Sequence, residues 1–345
     1  MGRVISTAIQ FIDGFTKPSK EVINSMRSMG NEAIKAGKQI QSAGKTITSV
    51  GSTLTKAITV PIAGVATAAV KTAADFEAAM SEVGAISGAG AQDLATLTAK
   101  AKEMGATTSF SASESAEAMK YMAMAGWKTA DMTAGIAGIM NLAAAAGEDL
   151  GTTSDIVTDG LTAFGMSAKE SGRFADVMAT ASTNANTNVT MLGESFKYCA
   201  ATAGAMGYNI EDISVALGVM ANAGIKGSTA GTTLKNVIAN MAKPTDAQAA
   251  VMQKLGISLT DSSGNMKSFA EVMNNLRSSF NGLSETEKAS YATTLAGKES
   301  MSGLLTIVNA SAADFDKLTE AINGSSGSAE AMAAKMLDNL KGQLT

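Results

Sequence analysis

The chain has 345 residues, 46% hydrophobic and 17% charged, which is long enough for two domains and too apolar for a disordered, solvating polymer. It has no histidine and one cysteine, Cys199, which excludes Ser-His-Asp and Cys-His nucleophiles, Cys/His zinc clusters and any intrachain disulfide. The net charge of −4 is unevenly placed: residues 1–72 carry nine Lys/Arg against three Asp/Glu, the remainder eighteen against twenty-eight, so the two parts meet different surroundings.

The first predicted element is a basic arm, 1–72. Small or apolar residues fall at Val22, Met26, Met29, Ala33, Ala36, Ile40, Ala43, Ile47, Val50 and Leu54, in alternating steps of four and three. That is the spacing of a heptad seam. With Met26, Ala33, Ile40, Ile47 and Leu54 at a, the others fall at d, and glycine fills successive e positions at Gly30, Gly37, Gly44 and Gly51. Each interior glycine costs a helix about 1 kcal/mol relative to Ala, so close packing against a partner helix is expected to offset the loss. The partner is either an intrachain hairpin or another copy in a bundle, because the pattern specifies a seam and not whose helix fills it. A basic amphipathic helix on a membrane surface fits less well, since small side chains bury little apolar area in lipid. Pro61 ends or kinks the arm, and the run 57–70 is too short and too weakly apolar to span a bilayer.

The compact part, 73–325, reads as short helices punctuated by glycine, with 326–345 expected to begin a further helix. Capping pairs recur: Ser111 with Glu114, Ser167 with Glu170, Thr245 with Gln248, Ser268 with Glu271, Ser284 with Glu287, and the related Asn209 with Asp212 and Ser311 with Asp314. In each, the first side chain takes an orphan backbone N–H and the second reaches back. Helix stops are expected at Gly105, Gly126, Gly147, Gly165, Gly207, Gly224, Gly256 and Gly297, where a left-handed residue ends a turn at little cost. Residues 257–260, a turn at 261–265 and residues 266–268 read as a small β-hairpin or an ordered loop. The fold class is all-α: the heptad-patterned arm followed by a globular multi-helix domain with at most one small β-hairpin. Aromatic residues are only 4%, so the core is built from Ala, Met, Ile, Leu and Val and modest stability per residue is expected.

Residues able to do chemistry are sparse. Glu114 with Glu117, or Glu148 with Asp149, are candidates for a general acid–base pair, yet they sit at helix starts where capping and the helix dipole already account for a carboxylate. No phosphate-loop or dinucleotide fingerprint is present. Cys199 reads as a small buried hydrophobe, and Trp127 as a packing anchor. The sharpest local feature is Gly-Ile-Lys-Gly-Ser-Thr-Ala-Gly-Thr-Thr-Leu at 224–234. Within it Gly224, Lys226, Gly227, Ser228 and Thr229 form a candidate interaction loop. The loop either presents backbone N–H groups and a lysine to an anion or turns a tight corner between two helices. No catalytic residue, cofactor or metal is expected, and an acidic, aromatic-poor compact part argues against specific nucleic-acid binding.

Several phrases are familiar as a set: Ala-Asp-Phe-Glu-Ala-Ala-Met at 74–80, Thr-Ser-Phe-Ser-Ala-Ser-Glu-Ser-Ala-Glu-Ala-Met at 108–119, Ala-Phe-Gly-Met at 163–166, the 224–234 run, and Leu-Gly-Ile at 255–257 with the turn after it. Through them about three quarters of the chain, from Phe76 to about Leu344, resembles the core region of tail tape-measure proteins from long-tailed bacteriophages and prophages. The resemblance implies a structural virion protein, not an enzyme. Such a protein templates tail-tube length during assembly in the host cytoplasm and is released during DNA ejection. It implies the tail tube protein, tail tip or baseplate hub proteins and tail-assembly chaperones as partners, with several copies per tail. Members of that family are much longer, so this chain is expected to be a piece of such a protein, with membrane contact only through segments it lacks. The alternatives from other classes are a carboxylate-dependent cell-wall hydrolase and a membrane-inserting helical protein associated with a tail. At about 1.5 Å per residue the seam from Val22 to Leu54 would span about 50 Å, an end module and not a ruler. Its basic arm is expected to lie against acidic surfaces of a tube lumen or tip. Co-sedimentation of the chain with an acidic tail component should therefore fall steeply between about 0.05 and 0.5 M sodium chloride, and retention that ignores salt would contradict that placement.

Overall fold

The computed structural model describes residues 71–338. The heptad seam at 22–54 lies outside the described residues. Among those described, every regular element is helical, and the 257–268 segment contributes a single isolated antiparallel bridge between Thr260 and Met266. Lys267 N–H donates to the Leu259 carbonyl at 2.8 Å and Asp261 N–H to the Asn265 carbonyl at 2.9 Å. Of the two readings, a small hairpin or an ordered loop, the segment is an ordered turn closed by one antiparallel rung.

The chain divides into two compact units between Met124 and Ala125, inside the stretch 73–325 that the sequence presents as one core. The described part of the first unit holds α1 (71–87), α2 (Ala91–Thr107) and α3 (Ala112–Met124). Phe76, Met80 and Val83 of α1 are buried, as are Leu97, Ala101 and Met104 of α2 and Ala116, Met119 and Met122 of α3. Lys120 on α3 pairs with Glu82 on α1 at 2.7 Å. Gly105 does not end α2, contrary to expectation. The helix continues to Thr107, and a β-carbon at Gly105 would stand 2.5 Å from the Ala112 nitrogen. This glycine lets the start of α3 press on the α2 backbone.

The second unit runs through α4 (Thr129–Ala146), α5 (Leu150–Phe164), a 3-10 turn at Ala168–Glu170, α6 (Ser171–Asn184), α7 (Val189–Ala205), α8 (Ile210–Asn222) and α9 (Gly227–Ala242). It continues with α10 (Asp246–Leu255), α11 (Phe269–Phe280), α12 (Glu285–Ala296), α13 (Met301–Asn309), α14 (Ala312–Asn323) and α15 (Ser328–Leu337). Helix α8 is buried from Ile213 to Ala221 without a break, as befits a helix apolar all round; α6, α13 and α14 surround it. On one side α5 packs on α7 and α7 on α9, and on the other α4 packs on α6 and α15.

All seven capping pairs read from the sequence start helical segments. Ser268 N–H, for example, donates to Glu271 Oε2 at 2.8 Å while Glu271 N–H donates to Ser268 Oγ at 3.2 Å. Gly147, Gly165 and Gly256 end their helices in the left-handed region, as expected of residues without a Cβ penalty.

Glycines also sit where helices cross. A β-carbon on Gly138 of α4 would meet the Gly172 nitrogen of α6 at 2.6 Å. One on Gly204 of α7 would meet Phe164 Cα of α5 at 2.9 Å, and one on Gly231 of α9 would meet the Ser195 carbonyl carbon of α7 at 2.9 Å. Backbone meets backbone at these points, so no rotamer change relieves the clash. Three aromatic side chains pack together beside these crossings: Phe164 meets Phe196 edge-on at 5.5 Å between centroids, and Phe174 lies 5.9 Å from Phe196. Trp127 is buried over Gly135, its ring filling the space a β-carbon would need, which makes it the packing anchor expected. Gly204→Ala should lower stability by about 1–3 kcal/mol through overpacking. Gly172→Ala, whose β-carbon meets nothing within 4 Å, should raise it by about 0.5 kcal/mol by restricting the unfolded chain. Urea midpoints of the two variants check both signs.

Candidate interaction surface

The loop at 224–229 joins α8 to α9. Gly224 takes φ +87°, its N–H donates to the Ala221 carbonyl at 2.9 Å, and Ile225 N–H donates to the Met220 carbonyl at 2.9 Å. These two bonds are the crossed pair of a Schellman motif, which needs a residue free to adopt positive φ. The backbone then extends at Lys226 and re-enters a helix at Gly227, itself at φ +57°. Small residues are required by what lies beneath, because α9 crosses α7 at Gly231 and Ser195 Oγ donates to the Gly227 carbonyl at 2.9 Å.

Lys226 lies across to the neighbouring loop, where its Nζ donates to Asn186 Oδ1 at 2.9 Å. Asn186 N–H in turn donates to Asn222 Oδ1 at 2.8 Å. The α6–α7 and α8–α9 loops are therefore clasped, and Gly224, Lys226, Gly227, Ser228 and Thr229 share one corner of the unit with Asn186 and Asn222. The Ser228 and Thr229 side chains have no hydrogen-bond partner among the described residues. On α7, Met191 and Tyr198 are 40% and 42% exposed. Being seven residues apart, two turns, they lie on one side of that helix, and Tyr198 packs its Cβ over Gly231.

Three of the four candidate acid–base carboxylates are taken up by structure. Glu114 accepts Ser111 N–H at 2.7 Å, Asp149 caps α5 by accepting Thr152 N–H at 2.8 Å, and Glu148 accepts the Thr190 hydroxyl at 2.7 Å. Cys199 is buried, and burial pushes its thiol up to about 12, far from a reactive thiolate. Among the described residues no His/Cys/Asp/Glu group could hold a metal ion, and no helix is long and apolar enough to cross a membrane.

Two acidic side chains act at a distance, one of them Asp212, which the sequence pairs with Asn209 but whose carboxylate does not reach back to it. Asp176 of α6 accepts Gly327 N–H at 2.8 Å and Ala329 N–H at 2.9 Å, capping α15 from another helix. Asp212 of α8 accepts Ala270 N–H at 2.9 Å at the start of α11. Nothing local in sequence could reveal either, since the partners are about 150 and 60 positions away.

A family model described as phage-related minor tail protein matches residues 98–297, more than half of the chain, and the chain belongs to that family. The match begins in α2 and ends at Gly297, just after α12. Its relatives are more specific: it is 39% identical over 288 residues to the tape measure protein of Pneumococcus phage Dp-1, covering 84% of this chain and 25% of that protein. It is 27% identical over 298 residues to the probable tape measure protein of Escherichia phage P2, covering 82% of this chain and 37% of that one. The chain thus spans a quarter of the length of one relative and little more than a third of the other. No solved structure matches.

Capping makes stability depend on acid. Asp149 is held below the usual carboxylate range by hydrogen bonds from Thr152, Glu170 by the Ser167 N–H, Glu271 by the Ser268 N–H, Glu287 by the Ser284 hydroxyl and Asp261 by the Asn265 N–H. Each depressed group contributes stability present above its unfolded pKa and lost as pH falls through its folded one. Asp212 and Asp159 are raised by burial and act oppositely: what they contribute is fully present below their unfolded pKa and is lost as pH rises through the higher folded one. The depressed groups outnumber the raised ones, so the urea midpoint should hold above about pH 5 and fall progressively below about pH 4. A midpoint unchanged at pH 3 would contradict this account.

Proposed function

We propose that this chain is a helical end module of a tape measure protein, a non-enzymatic component of the phage tail. In this reading the whole protein templates tail-tube length during assembly in the host cytoplasm and leaves the tube when DNA is ejected. The 39% identity to a relative named tape measure protein, spread over most of this chain but only a quarter of that relative, carries the proposal. Helix lengths agree with the division of labour. The longest described helix has 18 residues, about 27 Å at 1.5 Å per residue, so these residues fold as short packed elements and not as an extended ruler.

The partners are the tail tube protein, tip or baseplate hub proteins and tail-assembly chaperones, with several copies in one tail. The corner at 224–229, beside the exposed Met191 and Tyr198, offers them a contact surface. The aromatic-poor core serves release, because a domain with little aromatic burial opens more readily on its way through a narrow bore.

In a phage whose tape measure protein contains this chain, deleting residues 125–338 should abolish tail assembly. Normal tails shortened by about 320 Å, the length of that many residues of continuous helix, would instead make this region part of the ruler. Electron microscopy of lysates separates the two outcomes, and infectious tails of unaltered length would overturn the proposal altogether.

A further inference from the structure

The described residues contain two arginines, and they are treated differently. Arg173 makes a forked pair with Glu211, through Nε and Nη2 at 2.7 and 2.8 Å, and also reaches Glu170 at 3.2 Å. Arg277 has no carboxylate of the described residues within ion-pair distance. Its guanidinium lies 4.2 Å from the centroid of Phe315, Nη2 donates to the Ala310 carbonyl at 3.0 Å, and Nη1 reaches Asn274 Oδ1 only at 3.5 Å. Nε is buried without an acceptor. A guanidinium carries five N–H donors, so three are left without a protein acceptor, and the charge is balanced only by a carbonyl, an amide and a ring face.

Arg277 lines a cavity of about 460 Å³ between the ends of α11, α13 and α14 and the side of α12, within the size range of small-ligand sites. Its wall is polar: Lys288, Asn274, Asn281, Ser278 and Asn309 line it, together with Ala312, the first residue of α14. Lys288 is paired only with Glu285, whose side chain is 85% exposed. The Glu285 end of this pair stands in solvent, and the Lys288 ammonium has three donors, more than that one bond uses. The first turn of α14 adds the partial positive charge of a helix N-terminus, with Ser311 and Asp314 occupied by each other at 2.6 Å. Among the described residues no acidic side chain lines the cavity.

From this geometry we propose that the α11–α14 cavity is a receptor for a small oxyanion, a carboxylate or a phosphate, held by the fork of Arg277 and by Lys288. A planar guanidinium with free donors matches either anion through two parallel hydrogen bonds, which are stronger than neutral ones. Arg277 is the determinant and Lys288 the second charge. The phosphate source is a free ion or a phosphate ester, and the carboxylate source is an acidic side chain of a neighbouring polypeptide.

The test titrates the full chain with inorganic phosphate and, separately, with N-acetyl-glutamate amide, at ionic strength fixed with sodium chloride, following the ¹⁵N-labelled Arg277 Nε–H resonance. At least one anion should give a saturable shift of that resonance. Lys288→Gln should weaken binding severalfold, and Arg277→Lys, which keeps the charge but not the fork, about tenfold, the equivalent of one charge-assisted hydrogen bond. Saturation by phosphate alone assigns the site to a phosphate, and saturation by the glutamate analogue alone assigns it to an acidic side chain. No saturable shift with either anion, or equal binding by wild type and Lys288→Gln, overturns the proposal. The Lys288 side chain is 18% exposed, so the urea midpoint of Lys288→Gln is measured beside its affinity, and weakened binding at an unchanged midpoint decides the matter even if Arg277→Lys is too unstable to assay.

Discussion

At Gly138, Gly204 and Gly231 one helix backbone rests directly on another, closer than any side chain would allow. The rest of the second unit depends on this approach. A core with few aromatic rings cannot bridge the usual 8–10 Å between helix axes with large side chains, so it closes the distance instead. Alanine, methionine and the aliphatic residues then fill what remains, and the buried methionines adapt to gaps that rigid rings would leave. The cost is paid in helix propensity, at about 1 kcal/mol for each interior glycine, and it is offset only while the neighbouring helix stays in place. Local helix stability and tertiary packing are therefore coupled at each crossing.

The same economy governs the helix ends. Short helices expose a large proportion of unpaired backbone groups, and here serine, threonine, asparagine and acidic side chains supply partners at start after start, while glycines close the ends. Most of the acidic residues weighed as reactive groups serve as caps or tie loops together.

Helix starts were legible because a capping pair is local: two residues three apart carry the whole signal, and Ser268 with Glu271 needs no neighbour to form. The end of α2 was misread for the same reason in reverse. A glycine after an apolar run looks alike whether it stops a helix, as Gly256 does, or admits a second backbone, as Gly105 does, and only tertiary structure separates the two. The small residues at 224–231 showed in sequence that a tight corner or an anion cradle was required. They did not show that Lys226 would reach Asn186, forty positions back. Asp176 and Arg277 were invisible, and Asp212 was legible only as the local partner of Asn209, because each acts on residues brought near only by the completed fold. The boundary at Met124 left no trace in composition, since α3 and α4 are equally rich in alanine and methionine.

Asp176 joins the last described helix of the second unit to its middle, and α15 lies on both α4 and α6. The unit is thus closed on itself, its final segment resting on its first. Tension between the two ends would load this contact before any other. Once α15 peels away, its first turn loses the carboxylate that holds it, and α4 and α6 lose a shared wall. A chain drawn lengthwise would come apart from that clasp inward, helix by helix, each step lowering the force needed for the next.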